Sequence, residues 1–178
     1  MKTPHIAFFS QTGGEIVDIA KILGKWPDII VTNQRPESLR KIHEDIKESE
    51  KLVTTSNKPT LEELEDILGY YKNPLVTLHG WLRIMPAEIC EKYTVINGHP
   101  GLITEYPELK GKDPQMRALE GNYPVMGCVL HKVTAGVDEG KVIAETRFNA
   151  FQITEEEMWK VTRDRSLHLW INFLEKVV

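Results

Sequence analysis

The chain has 178 residues, 41% of them hydrophobic and 27% charged, and its 22 basic and 26 acidic side chains leave a formal net charge of −4. That length fits one domain over residues 1–178, large enough to bury a core without disulfide or metal staples. The acidic balance shows no Lys/Arg stripe for nucleic acid, no window approaches the ~20 apolar residues that span a bilayer, and the short apolar run after Lys2 is not a signal peptide.

The first short apolar run is His5-Ile6-Ala7-Phe8-Phe9, which reads as a strand buried on both faces. Ile16, Ile19, Ala20 and Leu23 then recur at helical spacing, and Asp28-Ile29-Ile30-Val31-Thr32 gives a second strand. Residues 36–51 are highly charged, and a narrow stripe of Leu39, Ile42 and Ile46 predicts a mostly exposed helix. Thr60-Leu61-Glu62-Glu63 is a capping box ahead of Leu64, Ile67 and Leu68. Leu75-Val76-Thr77-Leu78 and Thr94-Val95-Ile96 supply two more strands, so the first half predicts an α/β fold built on a parallel sheet.

The second half differs in texture. Residues 126–134 and 141–148 read as strands joined across Ala135-Gly136-Val137-Asp138-Glu139-Gly140, which predicts an antiparallel pair. A second capping box, Thr154-Glu155-Glu156-Glu157, opens a final amphipathic helix through Trp159, Leu167, Trp170 and Leu174. Cys90 and Cys128 stand in no metal-ligating or disulfide pattern, so reduced thiols, no metal site and a cytoplasmic location are expected. His5, His43 and His168 have no partner nearby in sequence and read as surface or edge residues.

In open α/β sheets ligands bind beyond the carboxyl ends of the strands. After the first strand comes Ser10-Gln11-Thr12-Gly13-Gly14, running into a helix. Free N–H groups at such a helix start make an anion site, although a plain strand-to-helix turn accounts for the same residues. After the strand at residues 94–96 comes Asn97-Gly98-His99-Pro100. Residues two apart in an extended segment point the same way, so the Asn97 amide and the His99 imidazole can converge on one reacting atom. An Asn beside a His also fills ordinary turns; a carboxylate that orients the imidazole would distinguish the two readings, and Asp138 is the candidate.

Together these pieces resemble the formyltransferases that use 10-formyltetrahydrofolate, and among them most closely the glycinamide ribonucleotide formyltransferases. Asn97-Gly98-His99-Pro100 matches the family's N-x-H-P signature, and residues 133–140 match its V-T-x-x-x-D-x-G turn. His79-Gly80-Trp81-Leu82-Arg83-Ile84-Met85 looks like its G-[FY]-M-R-I-L folate segment. The resemblance implies a Rossmann-like fold, an open, mostly parallel twisted sheet with helices on both faces. It further implies formyl transfer from 10-formyltetrahydrofolate to a small-molecule amine, without a metal.

On that footing Asn97, His99 and Asp138 would be catalytic. Leu82, Arg83, Ile84 and Met85 would line the folate cleft, with Lys58 near the folate tail. Ser10, Gln11, Thr12, Gly13 and Gly14 would cradle the acceptor's phosphate, and His131 would be structural. Only Ser10 and Gly13 keep their family places in that loop, Glu15 brings a negative charge to it, and Arg165 stands where the glycinamide enzymes carry an acid. An amino sugar or another modified nucleotide as acceptor, and an inactive folate-binding module, therefore stay open. A tRNA acceptor fits poorly with one acidic domain.

Overall fold

The computed structural model describes residues 2–178. Five short strands run parallel: β1 (His5–Phe9), β2 (Ile29–Thr32), β3 (Leu52–Thr54), β4 (Leu75–Leu78) and β5 (Thr94–His99). Two longer ones, β6 (Val125–Lys132) and β7 (Val142–Asn149), add antiparallel to β5, completing a seven-stranded sheet in the order β3-β2-β1-β4-β5-β6-β7. The order reverses between β1 and β4. A crevice must open there beyond the strand ends, because successive connections leave in opposite directions.

The strand residues alternate between two apolar layers, as a sheet covered on both faces requires. Ile6 and Phe8 of β1 pack with Leu64 and Leu68 of α3 (Leu61–Leu68) and Ile89 of α4 (Ala87–Lys92). Ala7 and Phe9 face the other way, against Ile16 and Val17 of α1 (Gly14–Leu23) and Ile46 of α2 (Glu44–Glu48). Nearer β6, that second face is closed by Leu169, Trp170 and Leu174 of α6 (Glu155–Val177). Both capping boxes form, Thr60 with Glu63 and Thr154 with Glu157. No helix among the described residues is long and apolar enough to cross a membrane.

Several expectations need correction. Residues 36–51 are not one helix but a 3₁₀ turn (Pro36–Lys41) followed by the five-residue α2, with Ile42 and His43 extended between them. The cause is tertiary: His43 N–H donates to Thr12 O (2.8 Å) and its imidazole caps Asp45 N–H, docking this stretch on the loop after β1 and burying Ile42 and Ile46. Trp159 does not join the buried face of α6; it is 44% exposed. His5 is no edge residue but is buried, with Nε2 on Thr77 Oγ1 at 2.8 Å. The strand β3 and the helices α4 and α5 (Pro114–Glu120) are additions to the predicted elements.

Candidate functional site

Strand β5 runs three residues beyond its last core residue, Ile96, and carries its polar end into the crevice. In its antiparallel register with β6, Asn97 lies opposite His131 and His99 opposite Val129, so Asn97, His99 and His131 share one face at the carboxyl end of β5. A β-bulge between Leu130 and His131 interrupts the β6–β7 pairing just there, as bulges often do where a side chain is re-aimed. The β6–β7 connection brings Asp138 over the same spot. Asp138 adopts φ +51°, a left-handed conformation that Asp tolerates better than most residues. Gly98, between the two site residues, packs its bare Cα on the Trp170 indole, where an added Cβ would be too close to Nε1.

The Asp138 carboxylate stands between two imidazoles. His99 Nδ1 is 3.3 Å from Oδ2 and His131 Nε2 is 3.2 Å from Oδ1, with all three side chains largely buried. Each imidazole turns its other nitrogen to a backbone carbonyl, His99 Nε2 to Leu109 O at 2.9 Å and His131 Nδ1 to Lys132 O at 3.1 Å. A carbonyl only accepts, so those two nitrogens carry hydrogens. In a neutral ring the remaining nitrogen is then a lone pair directed at a carboxylate. Adding a proton converts that conflict into a charge-assisted hydrogen bond. Nδ1 of His99 is thus the position in the array where an added proton gains a hydrogen bond.

Burial pulls the His99 imidazole below its ordinary value, against the pull of the Asp138 charge and the Leu109 carbonyl; the charges of His131 and Arg117 act with burial. Burial alone would raise the Asp138 carboxyl, but the hydrogen bonds from His131 and Gly111 N–H, with the charges of His99 and His131, hold it below its usual range. Asp138 is therefore ionised and His99 neutral near neutral pH, poised to take a proton. Asn97 Nδ2 lies 3.2 Å from His131 Nε2. That imidazole nitrogen stands between the Asn97 amide and the Asp138 carboxylate and can answer only one of them at a time; either way at least one Asn97 N–H is left for a ligand oxygen.

The structure brings Asn97, His99 and Asp138 together and adds His131, which the sequence reading had treated as framework. What the sequence lacked was the β5–β6 register; once β6 is placed antiparallel beside β5, His131 is the cross-strand neighbour of Asn97.

The other selected residues cluster around a second feature of the crevice. Ser10 Oγ accepts from Leu82 N–H (2.9 Å), and Gly80 O accepts from Ser10 N–H (3.1 Å), stitching the loops after β1 and β4 together. Gln34 Nε2 donates to the carbonyls of Ser10 and Gln11, and Thr12 Oγ1 accepts from Gly14 N–H. Gly13 (φ +76°) has Ile46 and Phe9 where a side chain would go, and as the N-cap of α1 it supplies no side-chain cap of its own. A groove of about 420 Å³ runs past Ser10, Asn33, Arg35, Asn57, Leu82 and Arg83. The Arg83 guanidinium is held there by Asn57, through O (2.9 Å) and Oδ1 (2.5 Å), and Lys58 is the exposed next residue.

Leu82 and Ile84 are 64% and 79% exposed, an apolar pair offered to solvent beside the crevice. Met85 is not: it is buried beneath that segment with Trp81, Ile89 and Val95. Glu15 does not face the loop mouth; its two oxygens take His79 Nδ1 and Ser166 Oγ, both at 2.8 Å.

A family profile described as formyl transferase matches residues 9–172. The chain belongs to the formyl transferase family. It is 28% identical over 112 residues to the phosphoribosylglycinamide formyltransferase of Bacillus subtilis, covering 61% of this chain and 54% of that protein. It is 30% identical over 95 residues to a formyltetrahydrofolate deformylase of Synechocystis, covering 52% of this chain and 32% of the relative. The chain thus spans about half or less of the length of these curated relatives. Phosphoribosylglycinamide formyltransferase from Anaplasma phagocytophilum superposes with a TM-score of 0.83 at 21% identity, over 98% of this chain and 86% of that one. Like that neighbour, this formyl transferase has a mixed sheet, mostly parallel, with its antiparallel strands at one edge.

Proposed function

We propose that this formyl transferase, as a single catalytic domain over residues 1–178, moves a formyl group from 10-formyltetrahydrofolate to a primary amine of a small molecule in the cytoplasm. Glycinamide ribonucleotide, in purine synthesis, is the acceptor its relatives favour. The observation that carries the reading is the Asp138 carboxylate between His99 and His131, with Asn97 beside it, at the crevice of a family member.

A neutral amine that attacks a formyl carbon builds negative charge on the formyl oxygen, and its nitrogen sheds a proton as the folate nitrogen gains one. Asn97 donates its free N–H to that oxygen, a kind of contact whose loss costs about 10²–10³ in rate. His99 receives the proton on Nδ1 by way of the Asp138 carboxylate and gives it back for the folate nitrogen; in between, its cation is met on one side by Asp138 and on the other by the Leu109 carbonyl. Protonation thus removes the contact conflict in the resting array instead of creating one. His131 stands with Nε2 between Asp138 and Asn97 and keeps the two in place beside each other.

The folate half is supported by the exposed Leu82 and Ile84, an apolar surface for a flat ring, and by Arg83, held by Asn57, for an anionic tail, with the exposed Lys58 next to Asn57 in the chain. For the acceptor half, the residue 10–14 loop opens α1 with no side-chain cap from its N-cap Gly13, Arg35 lines a groove with Ser10 and Glu37, and Glu15 is turned inward.

Incubation with 10-formyltetrahydrofolate and glycinamide ribonucleotide is expected to release tetrahydrofolate and formylated product in equal amounts. Tetrahydrofolate release at the same rate with no amine present would replace this reading with hydrolysis. Turnover only with a different amine would change the acceptor, and folate binding without any turnover would leave an inert module.

A further inference from the structure

The loop between β5 and α5 delivers two backbone groups to the His99–Asp138 pair. Leu109 O accepts from His99 Nε2, and Gly111 N–H donates to Asp138 Oδ2, each at 2.9 Å. This strap holds one 3₁₀ turn, Pro107–Leu109, and a left-handed Gly111 (φ +89°); it belongs to no strand ladder. An irregular segment of that kind needs another source of rigidity to place a carbonyl and an amide on two buried side chains.

For the backbone carbonyls of the strap that source is one side chain. Arg117, on α5, turns its guanidinium back under the strap and donates from Nη1 to Glu108 O (2.5 Å), from Nη2 to Lys110 O (2.8 Å) and from Nε to Lys112 O (2.9 Å). The three carbonyls sit at alternate residues, bracketing Leu109 and Gly111, whose own polar groups go to the catalytic pair. A planar fork with fixed donor directions satisfies three carbonyls at once, which a lysine ammonium on a flexible stem does not reproduce. The Leu109 side chain is buried among Ala118, Met126, Val129 and Phe148, which pins the strap from the other side.

We propose that Arg117 is a positioning residue for formyl transfer: through the strap at residues 108–112 it fixes the orientation and tautomer of His99 and the placement of Asp138 without touching either. The inference rests on the reading of His99 and Asp138 as the catalytic pair.

Arg117→Lys keeps the charge and loses the fork; Arg117→Ala loses both. Both variants are expected to lower kcat about 10- to 100-fold, as small misplacements of reacting groups do, while KM for 10-formyltetrahydrofolate changes less than about 3-fold. Added methylguanidinium is expected to restore activity to Arg117→Ala and to leave wild type unchanged. In ¹⁵N spectra of the imidazoles, with His99 assigned by its loss in His99→Ala, the resting ring of wild type carries its hydrogen on Nε2, and the variants shift toward a tautomer average.

Near-normal kcat in Arg117→Lys together with an unchanged His99 spectrum would overturn the proposal. So would a loss of kcat that follows a fall in urea midpoint while the His99 signals stay put, because that is a merely structural role. If wild type turns over no amine, the ¹⁵N shift still shows Arg117 holding His99, and it is the reaction that falls.

Discussion

His79 with Glu15, just past β4, and His99 with Asp138, at the end of β5, both join a buried imidazole to a carboxylate at the carboxyl edge of the sheet, but their second ring nitrogens meet different partners. His79 Nε2 lies 2.9 Å from the Thr77 hydroxyl, which can donate or accept. Because a hydroxyl both donates and accepts, His79 can give Nδ1–H to Glu15 and take the Thr77 O–H while Thr77 takes Nε2–H from His5, so the bonds can close without an extra proton. His99 Nε2 meets a carbonyl, which cannot change roles, so its other nitrogen conflicts with Asp138 until a proton arrives. The same residue types therefore make a resting network in one place and a proton acceptor in the other. What separates them is whether the second partner is a hydroxyl or a carbonyl.

The largest expected effect tests that contrast directly. His99→Ala and Asp138→Asn are expected to lower kcat by about 10²–10⁴-fold while folate binding persists, in the range that removal of a positioned acid–base group costs. Asn is tolerated at φ +51°, so the Asp138 variant keeps its turn. His79→Gln, measured in the same steady-state assay, is expected to stay within about 10-fold of wild type. A His79 variant as impaired as His99→Ala would collapse the distinction between the two pairs.

His131→Gln sharpens the contrast further. It leaves a polar side chain beside Asn97 but removes the second imidazole on Asp138, and a kcat about 10- to 100-fold lower is expected, the range seen when partners of catalytic groups are lost. A rate within 2-fold of wild type, from steady-state and single-turnover measurements alike, would return His131 to the framework.

Much of this arrangement could be read without coordinates. Four of the five parallel strands, all but the three-residue β3, announce themselves as continuous apolar runs, and the two capping boxes fix the starts of α3 and α6 because Thr and Glu at that spacing satisfy each other's backbone. Asn97 and His99 are two apart on one strand, and only an extended backbone brings them to one side. What stayed hidden depended on contacts between distant segments. The split of residues 36–51 follows from a hydrogen bond between His43 and Thr12, not from local propensity. The place of His131 follows from the β5–β6 register, the inward turn of Glu15 from partners 64 and 151 residues away, and the Arg117 clamp from a loop with no periodicity to read.

On the resting side, Glu15→Gln is expected to leave kcat within a few-fold of wild type and to lower stability. Burial would raise this carboxyl, but the hydrogen bond and charge of His79 and the hydrogen bond from Ser166 hold it below its usual range, so the folded state relies on its anion. Replacing it with a neutral amide weakens charge-assisted bonds worth about 1–3 kcal/mol. A urea midpoint that falls with an unchanged denaturant slope records that loss. A midpoint equal to wild type would show that this pair does not contribute to holding α1 and α6 against β4.

The smallest effect lies at the inner end of the same network. Burial, with the nearby charges of His79 and Lys25, lowers the His5 imidazole from 6.5 to about 3. Between those values the unfolded chain binds a proton at this residue that the folded chain refuses, so stability is full above 6.5 and falls as pH drops toward 3. The slope approaches about 1.4 kcal/mol per pH unit for one group, hence roughly 1 kcal/mol over the first unit below 6.5. His99 and Asp138 are shifted down as well and tilt the curve the same way, so wild type alone does not isolate His5. The difference in unfolding free energy between wild type and His5→Gln, followed from pH 7 to 5, does. That difference is expected to shrink as pH falls, because the variant has no imidazole to protonate when it unfolds. A difference independent of pH would mean that His5 already exchanges protons in the folded state, and the Thr77 network would then be a conduit instead of a closed set of bonds.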